Sequence, residues 1–414
     1  MRVAVIGAGP VGLSAASALT EAGASVSVYE ANADISRQWR ASTFHPPTLE
    51  HLERYVSVPE MLKQGIRADR YQIRDRKAGV VADFDYEVLK ADTPYPFRLQ
   101  LEQYKFSEMV LERLRTRTDV DLNFGHRLVA LDQTDEGAVE LTMEGPDGHV
   151  PVRADYVIGA DGASSTVRQL LGLDYEGWTY QERFLLISSH LPFGDYLPDL
   201  CDVNYLADPN EFVMILRTPD VWRILVPVPA GISDEAASDP ARLHSTIEGI
   251  IGKSLTSEEA HIVHQQIYKV HQRVASSFWS GRAMLVGDAA HVNSPIGGFG
   301  LNSGLHDIFD LAVRFDRILR EGADATAEFE AFAVGRRTVA REYVQRMSHQ
   351  NTSTLMLPDD ADRAAELARL RNLAAEPETA RDYLLDRSMI RHVRDHGIGR
   401  RPGQLAEEHA GTVN

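Results

Sequence analysis

The glycine-rich turn near the start of the chain constrains its fold more than any other feature. A short β-branched run, Arg2–Ile6, precedes the turn, and the small and apolar residues of Leu13–Ala22 follow it with helical spacing. The next run, Ala24–Glu30, has the composition of a second buried strand. A strand, a helix and a second strand in this order predict a β-α-β unit with two parallel strands. The N-terminal part is therefore expected to belong to the α/β class.

The turn itself matches the pattern G-x-G-x-x-G. Gly7 permits a tight turn, Gly9 lets the backbone approach a pyrophosphate, and Gly12 allows close packing of the helix on the strand. The helix N-terminus, which includes Val11, presents free N–H groups and a partial positive charge to phosphates. Glu30 ends the second strand, where a carboxylate accepts hydrogen bonds from an adenosine ribose. The motif fits FAD and NAD equally well.

A second glycine-rich segment, residues 281–302, indicates which of these two cofactors the chain binds. A short apolar strand delivers Asp288 at its carboxyl end, and a glycine-rich turn leads into a long helix that begins near Gly300. We expect Asp288 to accept a hydrogen bond from a ribityl hydroxyl. The positive end of the helix would stabilise the electron-rich ring of a reduced flavin. The segment therefore favours FAD.

Three signatures in one order carry a resemblance to a known family. They are the glycine motif of residues 7–12, Asp161-Gly162 at the end of a buried strand, and Gly287-Asp288. With them, residues 1–350 resemble the single-component FAD-dependent aromatic hydroxylases, the para-hydroxybenzoate hydroxylase family of flavoprotein monooxygenases. The resemblance implies an enzyme that uses NADPH or NADH and O2 to hydroxylate an electron-rich aromatic substrate. It also implies that a flavin C4a-hydroperoxide donates the oxygen atom.

The resemblance also implies which residues contact FAD. Arg40 would lie along the cofactor, Gln103 would touch it, and Leu128 would supply backbone contacts to the adenine. Asp161 would bridge the FAD region and the nicotinamide donor, and Asp288 would bind the ribityl chain. The full set of expected cofactor contacts is Gly7, Gly9, Val11, Gly12, Glu30, Arg40, Gln103, Leu128, Asp161, Asp288, Gly298, Gly300, Leu301 and Asn302.

Fewer signals point to catalysis and to the substrate. His45 is the candidate catalytic residue, because a histidine there can deprotonate a phenol near neutral pH, although a structural role at a helix entry is equally open. Arg217 and Arg223 are candidates for binding a substrate carboxylate, with surface ion pairs as the alternative. Pro295 matches a family proline whose backbone lies beside the substrate. An aromatic pocket or simple core packing explains Tyr205, Met214 and Trp222.

The chain divides into a discontinuous FAD-binding domain and an inserted sheet. From residue 176 to 228 short strands alternate in an antiparallel style, unlike the first unit. A helix is expected over Arg98–Arg117, and His261–His264 looks helix-like. The predicted fold is a Rossmann-like FAD-binding domain, an antiparallel β-sheet substrate domain and C-terminal helices. Their expected limits are 1–77, 98–175 and 270–350 for the first, 78–97 and 176–269 for the second, and 351–414 for the third.

Composition excludes several classes of partner. Lys and Arg number 43 against 60 Asp and Glu, a net charge of −17, which argues against binding nucleic acid or anionic lipid. The one cysteine, Cys201, forms neither an internal disulfide nor a thiolate metal site, so a cytoplasmic location is expected and no metal is predicted. No targeting segment or membrane span is expected, and either a monomer or a homodimer is compatible with the sequence.

Other functions remain open at this point. A quinone-biosynthesis hydroxylase shares the three signatures, but the acidic composition favours a soluble substrate over a membrane-borne phenol. A tailoring oxygenase for a larger secondary metabolite is a further alternative. The complete set of three signatures argues against a flavin-binding protein without turnover. A flavin-dependent halogenase is disfavoured, because the stretch that begins at Trp222 holds one tryptophan where that family has two.

Overall fold

The structure of the chain is a computed structural model, and it describes residues 1–134, 137–207, 212–229, 231–355, 360–396 and 398. Its strands in these residues, β1 to β20 in chain order, are Arg2–Ile6, Ser25–Glu30, Thr43–Phe44, Ile66–Ala68, Arg70–Asp75, Gly79–Asp85, Arg98–Gln100, Val120–Phe124, Arg127–Gln133, Val139–Gly145, Gly148–Ala154, Tyr156–Gly159, Tyr175–Ser189, Val203–Ala207, Val213–Arg217, Trp222–Val228, Ile262–Ala275, Trp279–Ser280, Ala283–Leu285 and His291–Val292.

The α-helices of the described residues connect and cover these strands. In chain order, α1 to α14 are Pro10–Glu21, Pro46–Leu52, Val58–Gln64, Gln103–Arg115, Thr166–Leu170, Asp234–Ala237, Pro240–Ile251, Ser257–Ala260, Phe299–Asp316, Ala325–Val339, Arg346–Leu355, Asp360–Ala375, Pro377–Arg387 and Ile390–His396. Short 3-10 turns occur at Tyr86–Leu89, Phe193–Asp195 and Gly287–Ala289. None of the described helices combines the length and apolar content needed to cross a lipid bilayer.

The first sheet has six strands in the order β18-β19-β12-β1-β2-β8, all parallel except the short edge strand β18. Val5 of the central strand pairs with Val28 on one side and with Ile158 on the other. Residues 3–6 are buried, as a strand enclosed on both faces requires. Helix α1 packs against α4 and α9 beside this sheet. The predicted β-α-β unit and the Rossmann-like domain are confirmed.

The second large sheet has eight strands in the order β20-β17-β13-β16-β15-β14-β5-β6. Its neighbours pair antiparallel, except that β14 runs parallel to β5. One face packs on α7, where Leu243, Ile247 and Ile250 are buried. We call the opposite face the inner face. The predicted inserted sheet is confirmed, and because β5 belongs to it, the sheet begins at Arg70, before the predicted limit at residue 78.

The C-terminal helices cover part of this inner face. Leu370 of α12 and Leu384 of α13 share one apolar cluster with Phe84 of β6. Asp92, which is nearly buried, is paired with Arg381 at 2.7 Å and with Arg394 at 3.0 Å. The helical region predicted beyond residue 350 therefore packs on the substrate sheet. The predicted tail after residue 398 lies outside the described residues.

Two local predictions were wrong. Arg98–Gln100 is a strand, β7, because Leu99 pairs with both Phe44 and Arg67 in a small three-stranded sheet, so α4 begins only at Gln103. Ile262–Ala275 is a long strand, β17, although His261–His264 looked helix-like. Pairing with β13 over most of its length overrides the local pattern there.

Candidate active site

A cavity of about 880 Å³ lies between the parallel sheet and the inner face of the eight-stranded sheet. The turn after β1 and the end of β2 form part of its wall, and Leu186, Met214 and Leu225 of the inner face form another part. Cofactor and ligand sites commonly occupy about 300–1,000 Å³. One cavity thus joins the predicted dinucleotide site to the predicted substrate sheet.

The glycine turn leaves room for a ligand because side chains are excluded from it. Gly7 has a φ of +104°, and a Cβ there would lie 2.5 Å from the backbone oxygen of Ala160. A Cβ on Gly12 would lie 1.9 Å from the backbone oxygen of Gly7. Helix α1 starts after Gly9, and no side chain caps its first N–H groups. Its positive end therefore faces the cavity, which Gly9, Pro10 and Val11 line.

The carboxylate of Glu30 stands beside this turn. Its Oε2 accepts a hydrogen bond from the Ala8 backbone N–H at 2.9 Å, and its Oε1 accepts one from the Asn32 N–H at 2.9 Å. Glu30 lines the cavity, so its remaining lone pairs can accept from the hydroxyls of a ribose. Of the other predicted contacts on this side, Arg40, Gln103 and Leu128 also line the cavity.

Asp288 faces the cavity from the turn after β19. Asp288 is exposed and forms part of the cavity wall. Within the described chain its carboxylate makes no hydrogen bond, whereas its backbone oxygen accepts one from the Tyr175 hydroxyl at 2.8 Å. A carboxylate exposed on the cavity wall can accept a hydrogen bond from a ligand hydroxyl, as the ribityl chain of FAD provides.

A buried ion pair that the sequence did not reveal holds this turn. Asp307 of α9 accepts hydrogen bonds from the Gly287 N–H at 2.9 Å, from His291 Nε2 at 2.9 Å and from Arg336 Nε at 2.7 Å. Burial by itself would raise the pKa of Asp307, but His291 and Arg336 hold it below its usual value. Asp307 thereby fixes the backbone from which Asp288 projects.

The N-terminus of α9 forms the wall next to Asp288. Gly298 precedes the helix without a side-chain cap, and Gly298, Gly300 and Leu301 line the cavity. The prediction assigns the backbone around Asn302 to the flavin, and the Asn302 side chain is fully buried. Its Nδ2 donates to the Thr43 backbone oxygen at 2.8 Å, and its Oδ1 accepts from the His45 N–H at 2.9 Å. Asn302 therefore joins two parts of the wall.

Asp161 lines the cavity and also accepts hydrogen bonds from the N-terminal end of α5. Its Oδ1 accepts from the Ser165 hydroxyl at 2.5 Å, and its Oδ2 accepts from the Val167 N–H at 3.1 Å. Burial raises the pKa of Asp161. The structure thus brings the middle signature to the same cavity as the first and third signatures.

The structure does not bring His45 to the cavity. Its side chain is fully buried, and its Nε2 lies 2.9 Å from the backbone oxygen of Gly297. The ring stacks on Phe299 with centroids 5.7 Å apart. Burial, together with the positive charge of Arg98, lowers the pKa of His45 to about 3. His45 therefore supports the glycine turn as a neutral side chain, and it does not line the cavity.

The predicted substrate residues separate into two groups. Met214, Arg223 and Pro295 line the cavity. The Arg223 guanidinium donates to the Trp39 backbone oxygen at 3.2 Å, and no carboxylate of the described residues pairs with it. Arg217 instead lies on the surface, 54% exposed and 3.6 Å from Asp202.

Tyr205 and Trp222 also lie away from the cavity wall. Tyr205 is buried beside Arg98, and Trp222 packs against Phe193 with ring centroids 5.9 Å apart. For Tyr205 and Trp222 the structure shows packing in place of direct lining.

Strand β17 contributes five lining residues that sequence reasoning missed: Gln266, Tyr268, Lys269, Val270 and His271. Burial raises the pKa of Tyr268, and the charge of Arg223 opposes this effect. The segment was read as helix-like at its start, so its alternating side chains were not assigned to a face.

A Rossmann-like sheet, an uncapped glycine turn, Glu30 and Asp288 around one cavity define a FAD-binding protein with an attached substrate sheet. A family model described as "FAD binding domain" matches residues 1–347. The chain belongs to this family and is an FAD-dependent aromatic hydroxylase. The resemblance seen in the sequence is confirmed.

Relatives with similar length support this assignment. Para-nitrophenol 4-monooxygenase from Pseudomonas sp. (strain WBC-3) is 31% identical over 386 residues, which cover 93% of this chain and 94% of the relative. The crystal structure of p-nitrophenol 4-monooxygenase from Pseudomonas putida DLL-E4 superposes with a TM-score of 0.88 at 31% identity, over 93% of this chain and 96% of that one. The crystal structure of aklavinone-11 hydroxylase with FAD and aklavinone gives a TM-score of 0.76 at 27% identity. The superposition covers 87% of this chain and 70% of that one.

Proposed function

We propose that this aromatic hydroxylase uses NADPH or NADH and O2 to hydroxylate a small phenol. The observation that carries the proposal is the single cavity that joins the glycine turn and Asp288 to the apolar inner face. The similarity to a protein named para-nitrophenol 4-monooxygenase, which extends over nearly the whole chain, supports a small monocyclic substrate.

Bound FAD would supply the redox chemistry: with two electrons from NAD(P)H, one atom of O2 would enter the ring and the other would leave as water. The residues of this chain hold the cofactor. Glu30 accepts from the ribose, Asp288 accepts from the ribityl chain, and the positive ends of α1 and α9 face the phosphates and the flavin ring.

The inner face has a different task, which is to exclude water and to orient the ring. Leu186, Met214 and Leu225 give this part of the cavity an apolar wall. Removing water from around a reactive oxygen donor prevents its decay to peroxide. Arg223 of the inner face donates a hydrogen bond to the Trp39 backbone oxygen. This bond connects the inner face to the segment that lines the cofactor side of the cavity.

The experiment measures oxidation of NADPH and of NADH, together with O2 uptake, by the FAD-loaded protein. The compounds are p-nitrophenol, 4-hydroxybenzoate, a hydroxypyridine and a polycyclic phenol. We expect one monocyclic compound to stimulate NAD(P)H oxidation and O2 uptake together, and to yield a product with one oxygen atom from O2 on the ring; where that atom displaces the nitro group of p-nitrophenol, nitrite is released. A product only from the polycyclic phenol would overturn the small-substrate proposal and favour a tailoring oxygenase. Tight FAD binding without stimulation by any compound would favour a flavin-binding protein without turnover.

A further inference from the structure

Two turns of the cavity wall are joined by one guanidinium group. Arg168 of α5 donates from Nη2 to the Ala163 backbone oxygen at 2.8 Å and from Nη1 to the Ala289 backbone oxygen at 2.7 Å. Ala163 lines the cavity, and Ala289 directly follows Asp288, which also lines it. Arg168 is only 5% exposed. This side chain therefore connects the turn of the middle signature to the turn of the third signature.

A tyrosine at the start of the substrate sheet completes this connection. The guanidinium carbon of Arg168 lies 3.8 Å from the centre of the Tyr175 ring, over the face of the ring. The Tyr175 hydroxyl donates to the Asp288 backbone oxygen at 2.8 Å. Two consecutive backbone oxygens, those of Asp288 and Ala289, thus accept hydrogen bonds from this pair. We call Arg168 with Tyr175 the arginine–tyrosine clamp.

The arginine–tyrosine clamp places a positive charge behind the Asp288 turn. Among the described residues, Arg168 forms no ion pair with Asp or Glu, although Asp161 attracts the guanidinium from farther away. Burial lowers the pKa of Arg168, but an arginine keeps its proton in a folded protein. Arg273 donates to the Tyr175 backbone oxygen at 3.3 Å and adds to the positive charge on this side.

This charge matters because the charge of bound FAD changes during its redox cycle. Reduction adds two electrons and one proton, so the cofactor gains one negative charge. A fixed cation near the site therefore favours the reduced form over the oxidised form. The hydrogen bonds of the clamp act instead on the backbone, which both forms meet in the same way. The charge and the hydrogen bonds of Arg168 thus predict two separable effects.

We propose that the arginine–tyrosine clamp positions the Asp288 turn for FAD and that the charge of Arg168 stabilises reduced FAD relative to oxidised FAD. Arg168 and Tyr175 are positioning residues, because they act through the backbone of residues 288 and 289. Their role concerns FAD alone. It therefore goes beyond the proposed function and holds whichever aromatic compound is hydroxylated.

The test measures the midpoint potential of bound FAD and its dissociation constant. The FAD-loaded protein is reduced with dithionite beside a reference dye, without NAD(P)H or an aromatic compound, and FAD release is followed on dilution. Arg168→Met removes both the charge and the hydrogen bonds. We expect its midpoint potential to fall by about 30 mV, which equals a tenfold loss of affinity for reduced FAD relative to oxidised FAD. Its affinity for oxidised FAD should fall as well.

Two further variants separate the charge from the hydrogen bonds. Arg168→Lys keeps the charge but offers one nitrogen where the guanidinium uses two. Its midpoint potential should match that of the unaltered protein, while its FAD affinity falls. Tyr175→Phe keeps the ring under Arg168 and loses the hydrogen bond to Asp288. Its FAD affinity should fall about threefold with an unchanged midpoint potential.

Arg282→Met is the matched control. Arg282 also lies over a tyrosine ring, with its guanidinium carbon 5.0 Å from the centre of Tyr156. It also donates to a backbone oxygen, that of Asp155 at 3.2 Å. It does not line the cavity, and Asp155 precedes strand β12, at the opposite end from the cavity. Arg282→Met should therefore change neither the midpoint potential nor the FAD affinity.

The outcomes decide the charge and the positioning separately. An unchanged midpoint potential in Arg168→Met with normal FAD content overturns the charge effect, and so does an equal fall in Arg168→Lys or in Arg282→Met. If Arg168→Met fails to fold, Arg168→Gln, which still donates hydrogen bonds, must show the same fall. Unchanged FAD affinity in Tyr175→Phe refutes the positioning role. Because no aromatic compound is present, these results stand even if the proposed function fails.

Discussion

The two walls of the cavity are built by different means. The cofactor wall consists mainly of backbone groups and of the ends of strands and helices. These are the turn at residues 7–12, the end of β2 at Glu30, and the start of α9. On the inner face, side chains from β13, β15, β16 and β17 meet, although residues 186 and 270 are far apart in sequence. A wall made of local motifs can be read along the chain, whereas a wall made of long-range strand pairs cannot.

The largest expected effect breaks the cofactor wall at Gly12. Gly12→Ala places a Cβ 1.9 Å from the Gly7 oxygen, so the turn must move, and we expect loss of FAD and of several kcal/mol of stability. Gly9→Ala is the paired variant, because its Cβ would meet nothing within 4 Å. It should keep the melting temperature of the FAD-free protein and weaken FAD binding only. Equal stability losses in the two variants would contradict this account of the turn.

Substitution of Asp307 tests whether its buried ion pair stabilises the cofactor wall. Asp307→Asn leaves Arg336 buried without its partner, and breaking such a pair costs about 3–5 kcal/mol in the free energy of unfolding. Asp310→Asn removes the more exposed pair with Arg314 one turn along the same helix and should cost less than about 1 kcal/mol. Urea unfolding of both variants measures the difference. Similar costs would show that Asp307 is not the anchor of the Gly287 turn.

A pH dependence follows from the histidines behind the cofactor wall. Burial lowers the pKa of His45 to about 3 and lowers those of His306 and His392 well below their usual value. Below pH 6.5 the unfolded chain binds protons that the folded chain does not, so stability falls as the pH falls. Each such histidine costs about 2 kcal/mol at pH 5. Urea unfolding at pH 7 and at pH 5 measures this loss, and His306→Gln should reduce it; an unchanged loss would contradict the assignment.

On the inner face, Met214→Ala should affect substrate use without affecting FAD. The variant loses apolar contacts at a cost of about 2 kcal/mol and widens the cavity. We expect NAD(P)H oxidation to continue while less of it yields hydroxylated product, because water reaches the site. Peroxide and product are measured together. A fall in FAD affinity equal to the fall in coupling would show that the two walls are not separate.

The smallest effect is expected at Arg217. Because it lies on the surface in an exposed pair with Asp202, Arg217→Gln should change stability by less than about 1 kcal/mol and leave the KM for the aromatic substrate unchanged. Arg223→Gln is its counterpart within the cavity and should raise that KM. A raised KM for Arg217→Gln would contradict this assignment and would indicate that Arg217 contacts the substrate.

The difference between the two walls explains which parts of the fold and of the site could be predicted from the sequence. The β-α-β unit, the three signatures and the positions of Glu30 and Asp288 were readable, because each lies in one local strand–turn–helix segment. The placement of His45 was not, since its burial depends on Gly297 and Phe299, far along the chain. Strand β17 was misread because its partner β13 lies more than 70 residues earlier.

The pairing of Asp92 with Arg381 and Arg394 has a consequence for folding during synthesis. A ribosome has made both large sheets before it reaches residue 360, yet the inner face is still uncovered near Phe84. The helices that close it are made last and are fixed to a residue made some 290 positions earlier. A nascent or truncated chain would thus carry a finished cofactor wall and an open substrate wall. In such a chain, electrons would reach oxygen with no closed chamber to direct the product.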